Sequence, residues 1–221
     1  KKEITDKEIA LLTADSIEKE HLNFTILDSI YELSPFINNL DSFVDHFIIL
    51  LSGICDADYF ALEICNDSIV YDYHAFTNTS KTEIQDFIRV TKKDFEDQAS
   101  QSRDYQYITR EVEFATRDKK INVNNKIQSY ECFAIYANEF VGTLHVASFK
   151  NLFFSDSMYK RLLYFCEKVG ILIEMSLNYQ NITSKEKRMR KLFSRFVPEE
   201  IIENLLRSEE RRVGKECRSR W

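Results

Sequence analysis

No glycine or proline interrupts the chain between Ile171 and Val197. Across that stretch, apolar residues recur at Leu172, Met175, Tyr179, Ile182, Met189, Phe193 and Phe196. The steps alternate three and four residues, and only Glu186 breaks them. That is close to a heptad seam, and a seam needs a partner helix to bury it. A helix folded back on its own sheet would use the residues up to about Tyr179 and leave the rest without a surface. The spacing therefore predicts a parallel homodimer joined along this helix, able to pass a small shift or rotation from the body of the protein to whatever follows.

The rest of the chain divides around that helix. Residues 1 to about 32 carry a loose apolar stripe of helical spacing, ended or bent by "SPF" at 34–36. In "NNLDSFVDHFIILLSGI", Asp41 can cap a helix that turns Phe43, Phe47, Leu50 and Leu51 inward, and Gly53 can let the chain turn at its end. "DYFALEIC" and "SIVYDYHAF", joined by "NDS", read as a β-hairpin. "SKTEIQDFIRVTKKDFEDQAS" reads as a surface helix with Ile84, Phe87, Ile88 and Phe95 toward the sheet. "DYQYITREVEFATRDKKINVNNKIQ" is polar and holds one or two short strands. "SYECFAIYA" and "FVGTLHVAS" around "NE" form the clearest hairpin. Both its faces are largely apolar, which predicts a central position, and Gly142 suits a bulge or a close backbone approach. Ser155 then caps the long helix.

Composition narrows the functional classes. With 221 residues, 44% of them hydrophobic, the chain can build one ordinary domain with flanking helices. Only 4 Gly and 2 Pro are present, so long flexible linkers are not expected. The net charge of -6 argues against a nucleic-acid partner. The longest apolar run, "FIILL", is too short to span a bilayer, and no membrane contact is expected within this segment. The five Cys show no CxxC spacing and read as free thiols of a cytoplasmic protein. The opening "KKEITDKEIALL", without Met, reads as an internal fragment, whose parent can be membrane-anchored elsewhere.

"ECFAIYANEFVGTLHVASFKNLFFSDSMYKRLLYFCEKVGILIEMSLN" resembles the closing half of a GAF domain. The family's "hxG" step corresponds to Val141-Gly142, and its helix opening to Phe154-Ser155-Asp156; the spacing from Asp156 to Leu162 departs slightly from the commonest form. "ILDSIYELSPFINNLDSFVDHFIILLSGICDADYFAL" is similar to the helices that lead into the first strand of that family. The resemblance covers residues 24–180. It implies an α+β fold of the GAF-like, PAS-like kind: a central antiparallel sheet of about five to six strands, flanking helices and a long C-terminal signalling helix. Residues 1–23 resemble the final helix of an upstream module of the same kind. "RKLFSRFVPEEIIENLL" looks like the segment that leads into the catalytic domain of class III adenylate or guanylate cyclases, with Phe193, Arg195, Phe196, Val197, Pro198, Glu199, Leu205 and Leu206 matching. Pro198 can open a new helix while disfavouring the old one. Residues 181–206 are thus read as a signalling helix and lead-in. The implied function is a sensory module of a nucleotide cyclase whose catalytic domain lies beyond this segment; the alternative is a ligand-free dimerisation module feeding a kinase, a phosphatase or a diguanylate cyclase.

No residue here is expected to be catalytic. GAF domains often hold a small ligand between sheet and loops, and by position Tyr71, Tyr73, Tyr130, Tyr136 and His145 are the candidate walls of such a pocket. The ligand is unidentified and no cofactor is expected. Of the family's cyclic-nucleotide signature only Asn125 and Lys126 are present. Cys132 lacks the companions of a pigment-binding cysteine and reads as core. His74 and His145 have no second ligand at metal spacing, so no metal is expected.

From Arg207 the text "RSEERRVGKECRSRW" resembles a translation of the adapter ligated to short-read sequencing libraries. Residues 207–221 are accordingly read as an artefact and set aside from the fold. They hold six basic and three acidic residues, so the remaining chain has 24 Lys plus Arg against 33 Asp plus Glu, a net charge of -9.

Overall fold

A computed structural model describes residues 27–28, 30–76, 80–99, 104–112 and 126–193. The expected N-terminal helix lies mostly outside the described residues, as do Phe196, the cyclase-like lead-in, the side chain of Phe193 and the adapter-like tail. The chain divides into two compact units, Lys1–Leu177 and Asn178–Trp221.

In the first unit a 3-10 turn, Ser34–Phe36, precedes helix α1, Leu40–Ile54. The cap of α1 is Asn39, whose side chain accepts a hydrogen bond from the Ser42 amide at 3.1 Å. This corrects the expected Asp41 cap. Asp41 sits in the first turn, where its carboxylate suits the helix dipole and accepts from the Tyr73 hydroxyl at 3.1 Å. The side facing inward carries Leu40, Phe43, Val44, Phe47, Ile48 and Leu51, while Leu50 is only half-buried. Gly53 does not turn the chain: it lies within the helix, which closes at Cys55 in extended backbone.

The sheet is mixed. Strands β1 (Tyr59–Asn66) and β2 (Ile69–Phe76) form the expected hairpin, with Asp67 at φ 57° in its turn. Asp tolerates that left-handed conformation better than most residues. Strand β3 (Gln106–Glu111) runs parallel to β2, and β4 (Ser129–Tyr136) and β5 (Phe140–Ser148) form the second hairpin. The order is β3-β2-β1-β5-β4. The α+β architecture is as expected, and five strands are seen among the described residues, within the expected number; the one correction is that the β2–β3 pair is parallel. The second hairpin is also not central as a unit. β5 lies beside the middle strand β1, but β4 is an edge among the described strands. Its two apolar faces report cover by helices above and below, not strands on both sides.

Helix α2, Lys81–Gln98, is capped by Ser80 and crosses one face of the sheet. It buries Phe87, Thr91 and Phe95. Phe87 packs with Tyr59, Ala61 and Ala147, and the expected Ile84 joins them half-buried. The opposite face holds the larger core. Phe60, Leu62, Ile64, Phe133, Ile135, Leu144 and Val146 meet α1 and the first part of helix α3, Asp156–Phe193. Phe47 and Phe165 touch there with ring centroids 5.3 Å apart. Ser155 begins α3 as expected, accepting from the Met158 amide at 3.2 Å. The glycine interior to this helix, Gly170, is a contact point: a Cβ there would stand 2.1 Å from the Tyr136 carbonyl oxygen.

In the second unit α3 continues to Phe193, with Arg190 and Glu186 paired one turn apart at 2.8 Å. Among the described residues no helix is long and apolar enough to cross a membrane.

Candidate functional site

The face of the sheet beneath α2 carries alternating polar residues. In "ALEIC", "YDYHA" and "GTLHV", period two places Glu63, Asp72, His74, Thr143 and His145 on one side. In most antiparallel sheets such a side meets water. Here α2 closes it, and all five residues are fully inaccessible. The register sets them in two neighbouring rows. Thr109, Asp72, Glu63, Thr143 and Ala134 form one, and Glu111, His74, Ala61, His145 and Cys132 the other. Glu63 stands directly opposite Asp72, and like charges so placed repel unless neighbours compensate.

The compensation is hydrogen bonding and a few donors. Asp72 accepts from Thr109 Oγ1 at 2.9 Å, meets Lys92 Nζ at 3.3 Å and contacts His74 Nε2 at 2.5 Å. Glu63 Oε2 accepts from Thr143 Oγ1 at 3.2 Å and lies 3.1 Å from His145 Nε2. On the other side of that ring, Nδ1 lies 2.8 Å from the Tyr130 hydroxyl, which donates to Asp94 Oδ2 at 2.6 Å. Asp94 comes from α2, so one chain of contacts, Asp94–Tyr130–His145–Glu63, ties the helix to the middle of the sheet. Glu63 Oε1 and His74 Nδ1 are buried without a hydrogen-bond partner among the described residues.

These surroundings shift the ionisable groups. Burial alone would raise the Asp72 carboxyl; His74, Lys92 and Thr109 together outweigh it and hold the group below its usual 3.8. Burial, then the Asp94 hydrogen bond, pushes the Tyr130 hydroxyl up, so it stays protonated. Burial, then the charges of Asp94, Glu63 and Glu131, pushes the Cys132 thiol up to about 12. The Asp72 shift has a sign that can be checked. A carboxyl depressed in the folded state contributes stability above its unfolded value, and that stability is lost as pH falls through the folded one. Acid titration below about pH 4 should therefore cost the native protein stability that the Asp72→Asn variant lacks throughout. Chemical unfolding at pH 7 and at pH 3 measures both, and the gap between them should narrow in acid.

Beside this network, a cavity of about 310 Å³ opens between α2 and the start of β4, bounded by Glu83, Phe87, Val90, Lys126, Ile127 and Tyr130. Of the five expected wall residues, the structure brings Tyr130 and His145 together, with Tyr130 at the cavity. Tyr71 and Tyr73 face the opposite side, packed with the larger core. Tyr136 is exposed at the end of β4, edge-on to Phe140. Sequence reasoning missed Glu63, Asp72, Asp94 and Thr143, and considered His74 only as a metal ligand. The alternating polar positions were a signal, but nothing local says that a helix covers that face. Cys55, Cys65, Cys132 and Cys166 are free thiols, as expected; Cys65 and Cys132 are only half-buried.

No family model matches the sequence, and no curated protein matches it. Among solved structures, the chain is similar to the GAF domain from Acinetobacter phosphoenolpyruvate-protein phosphotransferase. That comparison has a TM-score of 0.40 at 13% identity and covers 71% of this chain and 98% of the other.

Proposed function

We propose that this chain is a regulatory, sensory module of the GAF type within a signal-transducing protein, paired with a second copy along α3. Its output on this reading is a class III adenylate or guanylate cyclase domain following Leu206. The observation that carries it is the apolar stripe on α3. At about 100° per residue, Ile171 and Met175 point roughly 140° away from the side that buries Leu162, Phe165, Val169 and Ile173. They are 56% and 46% exposed. Farther along, Tyr179, Ile182 and Met189 are 48%, 66% and 55% exposed and fall within roughly 80° of one another on the helix wheel. Exposed apolar side chains at three- and four-residue steps suit a parallel two-helix seam. Leu172, half-buried, stands at the margin of that seam.

The signal would enter at the α2 side of the sheet. Ordering or shifting α2 there bears on β1 and β5, whose other face supports α3. No residue of this chain is given a catalytic role. Extending the coding sequence past Leu206 tests the output: the cyclase reading expects a strand ending in Asp followed by a Gly-Phe turn. A kinase, phosphatase or diguanylate cyclase sequence in that place would overturn it and leave the sensory reading standing.

A further inference from the structure

We propose that Asp94, Cys132 and His145 form a binding site for a thiophilic divalent metal ion, with zinc the preferred occupant. One carboxylate oxygen, the Cys132 Sγ and a ring nitrogen of His145 lie within 4.8 Å of one another. They come from α2, β4 and β5, which is why no ligand spacing shows in the sequence. Tetrahedral zinc, with bonds of about 2.0–2.3 Å, needs donors about 3.3–3.8 Å apart. The cluster must close by about an ångström to reach that, and Tyr130 OH, now 2.6 Å from Asp94 and 2.8 Å from His145, must swing outward to admit the ion, which leaves it within reach as a fourth ligand. A mixed sulfur, nitrogen and oxygen donor set selects zinc over magnesium or calcium.

Two further features point to a cation. The first is the hold on His145. Its Nε2 faces the Glu63 carboxylate at 3.1 Å and Thr143 Oγ1 at 2.8 Å. With Nε2–H donated there, Nδ1 presents a lone pair toward the Tyr130 hydroxyl, which reaches on to Asp94. A carboxylate behind a ligating histidine is the usual device for fixing its tautomer and raising its basicity. The second is a proton deficit. Nδ1 and Asp94 Oδ2 then compete for the single proton of Tyr130, at 2.8 and 2.6 Å. A cation between them removes the conflict. Nearby, Glu63 Oε1 is buried with no hydrogen-bond partner among the described residues, which leaves the field at this point negative. Cys132 is half-buried on a strand that is an edge among the described residues, giving an ion a short way in. On binding, the Cys132 thiol proton leaves to solvent and its sulfur bonds the metal as thiolate.

Cobalt(II) titrated into the full chain is the test, because tetrahedral thiolate-bound cobalt absorbs strongly where octahedral cobalt does not. The expected result is a one-to-one end point, a sulfur-to-cobalt band, and its loss on adding zinc. Cys132→Ser should abolish the band, Cys65→Ser and Cys217→Ser should keep it, and Glu63→Gln should weaken binding roughly 10- to 100-fold with the band intact. A folded wild-type protein without the band overturns the proposal, and so does a band that survives Cys132→Ser. If Cys132→Ser fails to fold by circular dichroism, Asp94→Asn and His145→Gln are read instead; affinities within twofold of wild type overturn it. An NMR spectrum showing both His145 nitrogens protonated in excess zinc would mean that a proton, not a metal, fills the deficit, and also overturns it. None of these readings depends on whether α3 pairs with a second copy.

Discussion

Gly142→Ala is expected to lower the stability of the sheet-bearing unit by about 3 kcal/mol, and Gly142→Val to prevent it from folding. A Cβ at Gly142 would stand 2.0 Å from the Glu63 carbonyl oxygen and 3.1 Å from both the Glu63 carbonyl carbon and Ile64 Cα. All three atoms belong to the backbone of β1, the middle strand, and Gly142 is paired with Ile64 in the β1–β5 ladder. No side chain can rotate out of the way; the ladder itself would have to open. Gly142 does not have a positive φ, so the loss is steric and owes nothing to conformational freedom. In a domain of this size about 3 kcal/mol corresponds to a fall of roughly 6–12 °C in Tm. Gly53→Ala serves as the opposite case. Nothing lies within 4 Å of a Cβ there, and the residue is inside a helix, so alanine should stabilise by about 0.5–1 kcal/mol. Thermal melts of the two variants should move in opposite directions. Equal melting of Gly142→Ala and wild type would mean that the β1–β5 register is wrong.

The second large effect concerns association. Ile182→Glu combined with Met189→Glu should turn a dimer into a monomer. Burying one such side chain contributes about 1.5–3 kcal/mol, and symmetry counts each twice. Replacing both with carboxylates brings like charges together in addition. A loss of at least about 4 kcal/mol is expected, or a dissociation constant weakened at least about 10³-fold. Arg188→Glu changes the charge by more than either single substitution but lies off the stripe, and should leave the dimer intact. Sedimentation equilibrium reads all three proteins. Since Ile182 and Met189 are exposed, the melt of the first unit should not move.

The two glycines show what the sequence could disclose. A glycine within a strand reads as a bulge or a close approach, and Gly142 is the second of these. The bulge itself falls on the partner strand, between Ile135 and Tyr136. Gly170 gave no such warning, because a glycine in a helix reads only as a propensity cost. Its contact with the Tyr136 carbonyl depends on how α3 docks, which no local pattern encodes. Helices, both hairpins and most core residues were legible because period 3.6 and period 2 are local properties. The Asn39 cap was missed for a narrower reason: both Asn39 and Asp41 are good capping residues, and which one is used depends on the entry of the chain from the preceding 3-10 turn. The candidate site was legible only in pieces. His145 and Tyr130 stood out as polar groups on an apolar hairpin. Nothing singled out Glu63 or Asp72, His74 was considered only as a metal ligand, and Asp94 was one charge among many on a surface helix. Their meeting is set by the strand order and by the face that α2 covers, and both are long-range facts.

The pairing of α3 is tested most directly by placing a cysteine at Ile182 and oxidising gently. A parallel seam sets position 182 of one copy beside 182 of the other, within reach of a disulfide. The expected result is a covalent dimer that the wild-type chain, with its own thiols, does not form. A chain that stays uncrosslinked and sediments as a monomer at high concentration would contradict the account.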